Sequence, residues 1–186
     1  MDLSQRKREV LEALLLHDKP VKAVEIAKEM AKEQRAVQMH LTGLVLMGYA
    51  SSPQKGYCII SENGKKALGL PEVSKEIAVA ILAPKPFQKA FHFYSDVGKP
   101  LNITAKDLLE FCDKMGKVTV ESVNFHFSRG DFEAWFNYIG DAELSKKMEL
   151  LKKEKISAAE VPGRIREIVE NRCMVLAETA GQKGLS

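Results

Sequence analysis

The sequence has few cysteines and no long hydrophobic run, and these two absences exclude several classes of protein. Its three cysteines, Cys58, Cys112 and Cys173, are far apart and form no C-x-x-C pair, so we expect neither a disulfide framework nor a zinc site. The longest apolar run extends from Ile77 to Ala83, whereas a membrane-spanning helix needs about 20 residues. The N-terminus also lacks the apolar core of a secretory signal. We therefore expect a soluble, cytoplasmic protein with no membrane partner.

The motifs of common enzyme classes are also missing. The chain has no glycine-rich phosphate loop, no G-x-S-x-G sequence and no H-E-x-x-H metal motif. We therefore predict no catalytic residue, no cofactor and no metal ligand. An enzyme that uses His92, His126 and Asp131 is the third hypothesis for function, because the spacing of these residues indicates no acid–base or nucleophile arrangement.

Net charge is small, but it is distributed unevenly along the chain. There are 28 lysines and arginines against 25 aspartates and glutamates, which gives a formal charge of +3. Residues 1–70 contain 11 basic and 8 acidic side chains, whereas residues 71–186 contain 17 of each. A charge of +3 is too small to imply a nucleic-acid partner by itself, but the whole excess of positive charge lies in the first third.

The hydrophobic spacing of residues 1–70 predicts three helices followed by a hairpin. The helices extend from a Ser4 cap to about residue 17, over 24–31 and over 33–47, where Gly48 ends the third. Extended runs over 49–52 and 56–60 flank a compact tip, and Ser61 caps a short helix. Residues 71–86 form a connector with a short helix over 74–82 between two prolyl turns. We thus expect a mainly α protein with a minor α+β character.

The order of these elements resembles the winged helix-turn-helix domain of archaeal and bacterial regulators. The resemblance is carried by Leu41, Leu44, Gly48-Tyr49, the run from Tyr57 to Ser61, and Gly64. It implies double-stranded DNA as the partner, with the third helix in the major groove and the wing on the backbone, and a homodimer that matches two half-sites. By position, it implies these base-reading residues: Gln34, Arg35, Gln38, Met39 and Thr42. Phosphate contacts would come from Lys55 at the wing tip and from Arg6, Lys7, Arg8, Lys65 and Lys66.

Two features of the third helix favour a protein partner instead. Met39, Thr42 and Gly43 stand where such regulators often carry arginine or lysine. The run Val45-Leu46-Met47 is also apolar on more sides than a single core stripe requires. A winged-helix interaction module that does not bind DNA is therefore the alternative.

Residues 87–186 are predicted to form a mostly helical second domain. A helix capped by Thr104 spans 105–115, Asp131 and Asp141 cap two more helices, and the last helix begins near Pro162. Residues 118–128 fit both a strand and a helix, and the short following loop favours a helix. Residues 87–95 are equally ambiguous, and 91–94 favour extended structure. The domain therefore contains at most one short strand pair.

The string from Phe125 to Trp135, together with the run Phe91-His92-Phe93-Tyr94, resembles a domain of unknown function found in archaea and bacteria. The resemblance covers about residues 87–152 and implies a shared fold without an assigned activity. If the two Phe-His-Phe elements pair in space, they form a pocket for a small anionic effector, with these candidate residues: His92, His126, Arg129 and Trp135. Ordinary packing of the histidines, with Arg129 paired to Asp131, is the competing interpretation. In a regulator, we expect this second domain to mediate dimerisation or to sense an effector.

Overall fold

The structure is a computed structural model that describes residues 3–182. It is mostly helical, with 58% helix and 12% strand in small antiparallel sheets, which confirms the mainly α class. The chain forms two compact units that divide between Glu72 and Val73. Within residues 3–182, no helix is both long enough and apolar enough to cross a membrane.

Residues 3–72 of the first unit form four helices and three short strands. Its elements are α1 (Gln5–Leu15), β1 (Val21–Lys22), α2 (Ala23–Glu29), α3 (Gln34–Leu46), β2 (Ala50–Ser51), β3 (Tyr57–Ile60) and α4 (Glu62–Ala67). The Ser4 hydroxyl accepts a hydrogen bond from the backbone of Lys7, as expected for an N-cap. α1, α2 and α3 bury apolar side chains such as Leu14, Ile26 and Leu41, and this burial supplies the core.

The three strands form an antiparallel sheet in the order β1-β3-β2. Val21 lies opposite Cys58, and Ala50 lies opposite Ile60. β1 is not predicted from the sequence, because two residues are too short to show an alternating pattern. The central β3 therefore links the segment between α1 and α2 to the hairpin.

The backbone of α4 packs directly on the chain that enters β2. Ser61 caps α4 by accepting the Gly64 amide at 3.1 Å, and its hydroxyl donates to the Gly48 carbonyl at 2.6 Å. The Ser61 amide also donates to the Tyr49 carbonyl at 3.0 Å. A Cβ on Gly64 would lie 2.1 Å from the Tyr49 oxygen, so only glycine fits at this contact.

Residues 73–182 of the second unit form six α-helices and one hairpin. Its elements are α5 (Lys75–Leu82), a 3-10 turn (Phe87–Lys89), β4 (Phe91–Asp96), β5 (Lys99–Ala105), α6 (Leu108–Met115), α7 (Val120–Arg129), α8 (Asp131–Ile139), α9 (Ala142–Leu151) and α10 (Val161–Thr179). α5, which is the short helix predicted between two prolyl turns, belongs to this unit and packs on α10. The predicted helix over 118–128 and the predicted extended run over 91–94 are both present as α7 and β4.

Two predicted helix caps are wrong. Thr104 lies in β5 opposite His92, and Asp107 caps α6 by accepting the Glu110 amide at 2.8 Å. The helix starts later because residues 99–105 supply the pairing partner that β4 needs. Asp131 is the first residue of α8 and makes no cap hydrogen bond, because its carboxylate faces His126 instead.

A buried ion network joins the start of α9 to α10. The Arg172 guanidinium donates twice to the Asp141 carboxylate, at 2.9 and 3.1 Å, and once to Glu143 at 2.8 Å. The Lys147 ammonium lies 3.2 Å from the other Glu143 oxygen. Two positive and two negative side chains thus balance each other in a region that water barely reaches.

An aromatic cluster fixes the hairpin to the helices. Phe91 of β4 contacts Phe111 of α6 and Phe132 of α8, with ring centroids 5.7 and 5.2 Å apart. Phe111 also stacks on Trp135 at 5.5 Å. Because aromatic pairs of this geometry stabilise beyond simple burial, the cluster holds β4 firmly beside α7 and α8.

Candidate nucleic-acid interface and ligand pocket

The outer face of α3 carries the side chains that the sequence analysis selected as base readers. Five exposed residues lie along it: Gln34, Arg35, Gln38, Met39 and Thr42. Val37, Leu41 and Leu44 bury the opposite face in the core. Because the hydrophobic stripe of the helix faces the core, these five side chains face outward.

Three of these side chains have polar groups that are not engaged. Within residues 3–182, the side chains of Gln34, Arg35 and Gln38 make no hydrogen bond and no ion pair. Thr42 differs, because its hydroxyl donates to the Gln38 carbonyl at 2.9 Å. The amides and the guanidinium are thus available to a ligand without breaking an existing contact.

The predicted phosphate contacts differ from one another in availability. Lys55 is exposed at the turn between β2 and β3, and Arg6 is exposed beside a recess of about 270 Å³ between α1 and α3. Lys65 is only 16% exposed, and its ammonium lies 3.1 Å from the Glu62 carboxylate. Arg6 and Lys55 are therefore better placed than Lys65 to meet a phosphate.

Lys7 of α1 lies against α3 at Gly43. A Cβ on Gly43 would be 3.0 Å from the Lys7 Cε and 3.5 Å from its ammonium nitrogen. Gly43 itself carries no cation, but a lysine from another helix crosses that position. Only the packing of α1 on α3 brings the two residues together, so no local pattern could have shown it.

A pocket of about 280 Å³ lies in the second unit between the β4–β5 hairpin and the junction of α7 with α8. Its lining residues are Phe91, His92, Tyr94, Asp96, Val97, Gly98, Phe125, His126, Arg129 and Asp131. Three of the four residues proposed from the sequence lie in it. Trp135 is outside the lining, and its indole N–H donates to the Lys89 carbonyl at 3.2 Å.

His126 is only 3% exposed, and both of its ring nitrogens are engaged. Its Nε2 lies 2.8 Å from the Tyr94 backbone nitrogen, and its Nδ1 lies 2.7 Å from the Asp131 carboxylate. A backbone N–H can only donate, so Nε2 must accept and the proton must be on Nδ1. The ring is therefore neutral and bridges β4 to α8, and no nitrogen remains free to act as a base.

The guanidinium of Arg129 is held at the rim of the pocket. Its carbon lies 5.0 Å above the centre of the Phe125 ring, and its Nε lies 3.4 Å from the Asp131 carboxylate. Its two Nη groups have no hydrogen-bond partner in the part of the chain that the structure describes. The charge is thus fixed in place with its donors still available.

The charge of the lining disfavours the simple anionic effector that the sequence suggests. Asp131 and Asp96 contribute two carboxylates, whereas Arg129 is the single cation in the lining. Asp96 lies in the tip of the hairpin, where it accepts the Val97 amide and pairs with Lys99. No local pattern predicts Asp96 as a pocket residue, because only the hairpin fold brings it into the lining.

Residues 3–182 contain no group of three histidine, cysteine or carboxylate side chains that could hold a metal ion. The chain matches no model of a known protein family, no curated protein and no solved structure. The two resemblances described from the sequence therefore stay predictions.

Proposed function

We propose that the first unit is a winged helix-turn-helix domain and that the protein is a DNA-binding transcriptional regulator. In this proposal α3 enters the major groove, the β2–β3 turn contacts the backbone, and the second unit serves dimerisation or effector sensing. The order of three helices, a three-stranded antiparallel sheet and a capped short helix supports it.

The observation that carries this proposal is the unengaged polar face of α3. Gln34, Arg35 and Gln38 are exposed, adjacent on one helical face and without partners among residues 3–182. Glutamine matches the edge of adenine and arginine matches the edge of guanine in the major groove. The basic excess of residues 1–70 adds the attraction to phosphate that DNA binding needs.

The test is selection of genomic DNA fragments by the purified protein, first at physiological salt and then at higher salt. A common sequence that remains enriched at higher salt supports a regulator and supplies its operator, because salt removes non-specific binding first. Absence of any enriched sequence contradicts the proposal.

Variants then distinguish sequence-specific contacts to bases from sequence-independent attraction to phosphates. We expect Arg35→Ala to weaken operator binding by about 1–3 kcal/mol with little effect on random DNA. Lys55→Ala should weaken binding to both DNAs and reduce the salt dependence. Arg166→Ala, which removes the same charge from α10, is the control and should change neither.

A protein partner is the second candidate, because two apolar side chains project from α3. Leu46 is 84% exposed and Met39 is 64% exposed, whereas large apolar side chains are usually covered. If this face binds a protein, Leu46→Asp abolishes capture of a stoichiometric partner while the fold is retained. A protein that selects an operator and is unaffected by this substitution rules the second candidate out.

A further inference from the structure

The pocket of the second unit presents opposite charges side by side. Arg129 Nε and the Asp131 carboxylate are 3.4 Å apart, and both line the same pocket. One Asp131 oxygen accepts from His126 and faces Arg129, while the other has no partner among residues 3–182. An unengaged carboxylate oxygen therefore lies close to unengaged guanidinium donors.

A ligand with one charge would satisfy only half of this pair. An isolated anion that binds Arg129 is repelled by the neighbouring Asp131 carboxylate. An isolated cation that binds Asp131 is repelled by the guanidinium. A ligand whose carboxylate and ammonium are separated by a single carbon presents both charges at the spacing of the pair.

Size and lining define the rest of the ligand. The pocket volume of about 280 Å³ is just below the range of about 300–1,000 Å³ that holds drug-sized ligands, so the pocket suits a smaller molecule. The remaining walls include Phe91, Tyr94 and Phe125, which favour an apolar or aromatic group. The Arg129 guanidinium is already oriented by Phe125 and Asp131, so its side chain loses little conformational freedom when a ligand binds.

We infer that this pocket binds a free α-amino acid with an apolar or aromatic side chain. The carboxylate accepts from the Nη groups of Arg129, and the ammonium donates to the free oxygen of Asp131. The side chain of the ligand lies against Tyr94 and Phe125. This inference concerns the second unit alone, and it does not require that the first unit bind DNA.

The test is calorimetric titration of the full-length protein, without DNA, with L-leucine and L-phenylalanine. Each is compared with analogues that lack one charge: 4-methylpentanoate and 3-phenylpropanoate lack the ammonium, and 3-methylbutylamine and phenethylamine lack the carboxylate. We expect saturable binding of at least one amino acid and at least about tenfold weaker binding of both its analogues, because each loses a charge-assisted hydrogen bond.

Two variants assign the charges to residues. Arg129→Gln should weaken amino-acid binding at least about tenfold, and Arg166→Gln is its control, because both arginines are 51% exposed and each contacts one carboxylate through Nε. Asp131→Asn should also weaken binding while its amide oxygen still accepts from His126. Circular dichroism checks that each variant is folded.

Several results would overturn the inference. Equal affinity for an amino acid and its deaminated analogue would show an anion site, and equal affinity for its amine analogue would show a cation site. No saturable binding of either amino acid up to about 10 mM would exclude the proposed ligand class. Since DNA is absent from the titration, none of these results bears on whether the first unit binds an operator.

Discussion

Gly64 should be the position in the first unit that least tolerates an added methyl group. In Gly64→Ala the new carbon would lie 2.1 Å from the Tyr49 oxygen, about 1.3 Å closer than ordinary contact at 3.4 Å. The oxygen belongs to the backbone, so α4 must move away and weaken two hydrogen bonds of Ser61, to Gly48 and to Tyr49. The two weakened hydrogen bonds cost about 1 kcal/mol each and the overpacking about 1–3 kcal/mol, while the helix preference of alanine returns about 1 kcal/mol, so we expect a net loss of about 2–4 kcal/mol.

Gly43→Ala is the matched control, because both glycines lie inside helices of the first unit. Its new methyl group would meet only the flexible end of the Lys7 side chain, at 3.0 Å, and that end can shift. Alanine also favours helix by about 1 kcal/mol, so we expect equal or higher stability. Urea unfolding followed by far-ultraviolet circular dichroism measures both variants. If Gly64→Ala costs no more than Gly43→Ala, the close packing of α4 on Tyr49 is refuted.

Three further predictions concern the second unit, and fluorescence of the single tryptophan during urea unfolding follows its stability. Arg172→Met should cost about 3–5 kcal/mol, because it leaves buried carboxylates without their cation, and a loss below about 1 kcal/mol would contradict the network. His126→Leu should cost about 1–3 kcal/mol by leaving the Tyr94 backbone N–H without its acceptor, whereas Asp131→Asn should cost less because its amide oxygen still accepts from the ring. The Cys173 thiol and burial raise the pKa of Cys112 above its ordinary value of 9.0, so the folded protein favours the neutral Cys112 thiol. The stability that this preference contributes is present below pH 9.0 and is lost as the pH rises above it. Iodoacetamide near pH 8.5 should therefore modify Cys112 only after unfolding.

Local patterns were sufficient for most helices. Ser4, Ser61 and Asp141 begin helices as expected, since each cap bond joins residues only three positions apart. The hydrophobic stripe of α3 likewise predicts which face is exposed. In these cases the chemistry that decides the structure lies within one helical turn, so the sequence shows it directly.

Long-range contacts decided the features that the sequence left open or misplaced. Thr104 has the spacing of a helix cap, yet it lies in β5 opposite His92 of β4. Pairing the two strands satisfies backbone N–H and C=O groups that would otherwise be costly to bury. Asp131 likewise gives up a capping role to accept from His126, whose other nitrogen accepts from Tyr94, 32 residues away in the chain. The aromatic and histidine residues of the pocket could be predicted as a group, but the carboxylate of Asp96 enters it through the hairpin.

The buried ion network also restricts how the sequence can change over time. Losing one member of Asp141, Glu143, Lys147 and Arg172 leaves an uncompensated charge, while replacing all four by apolar side chains of similar volume can be close to neutral. Any path of single substitutions from the four charged residues to four apolar ones therefore passes through destabilised proteins. We therefore expect descendants of a common ancestor to keep the four residues together or to have lost them together, so that these positions record shared ancestry after the exposed surface has diverged.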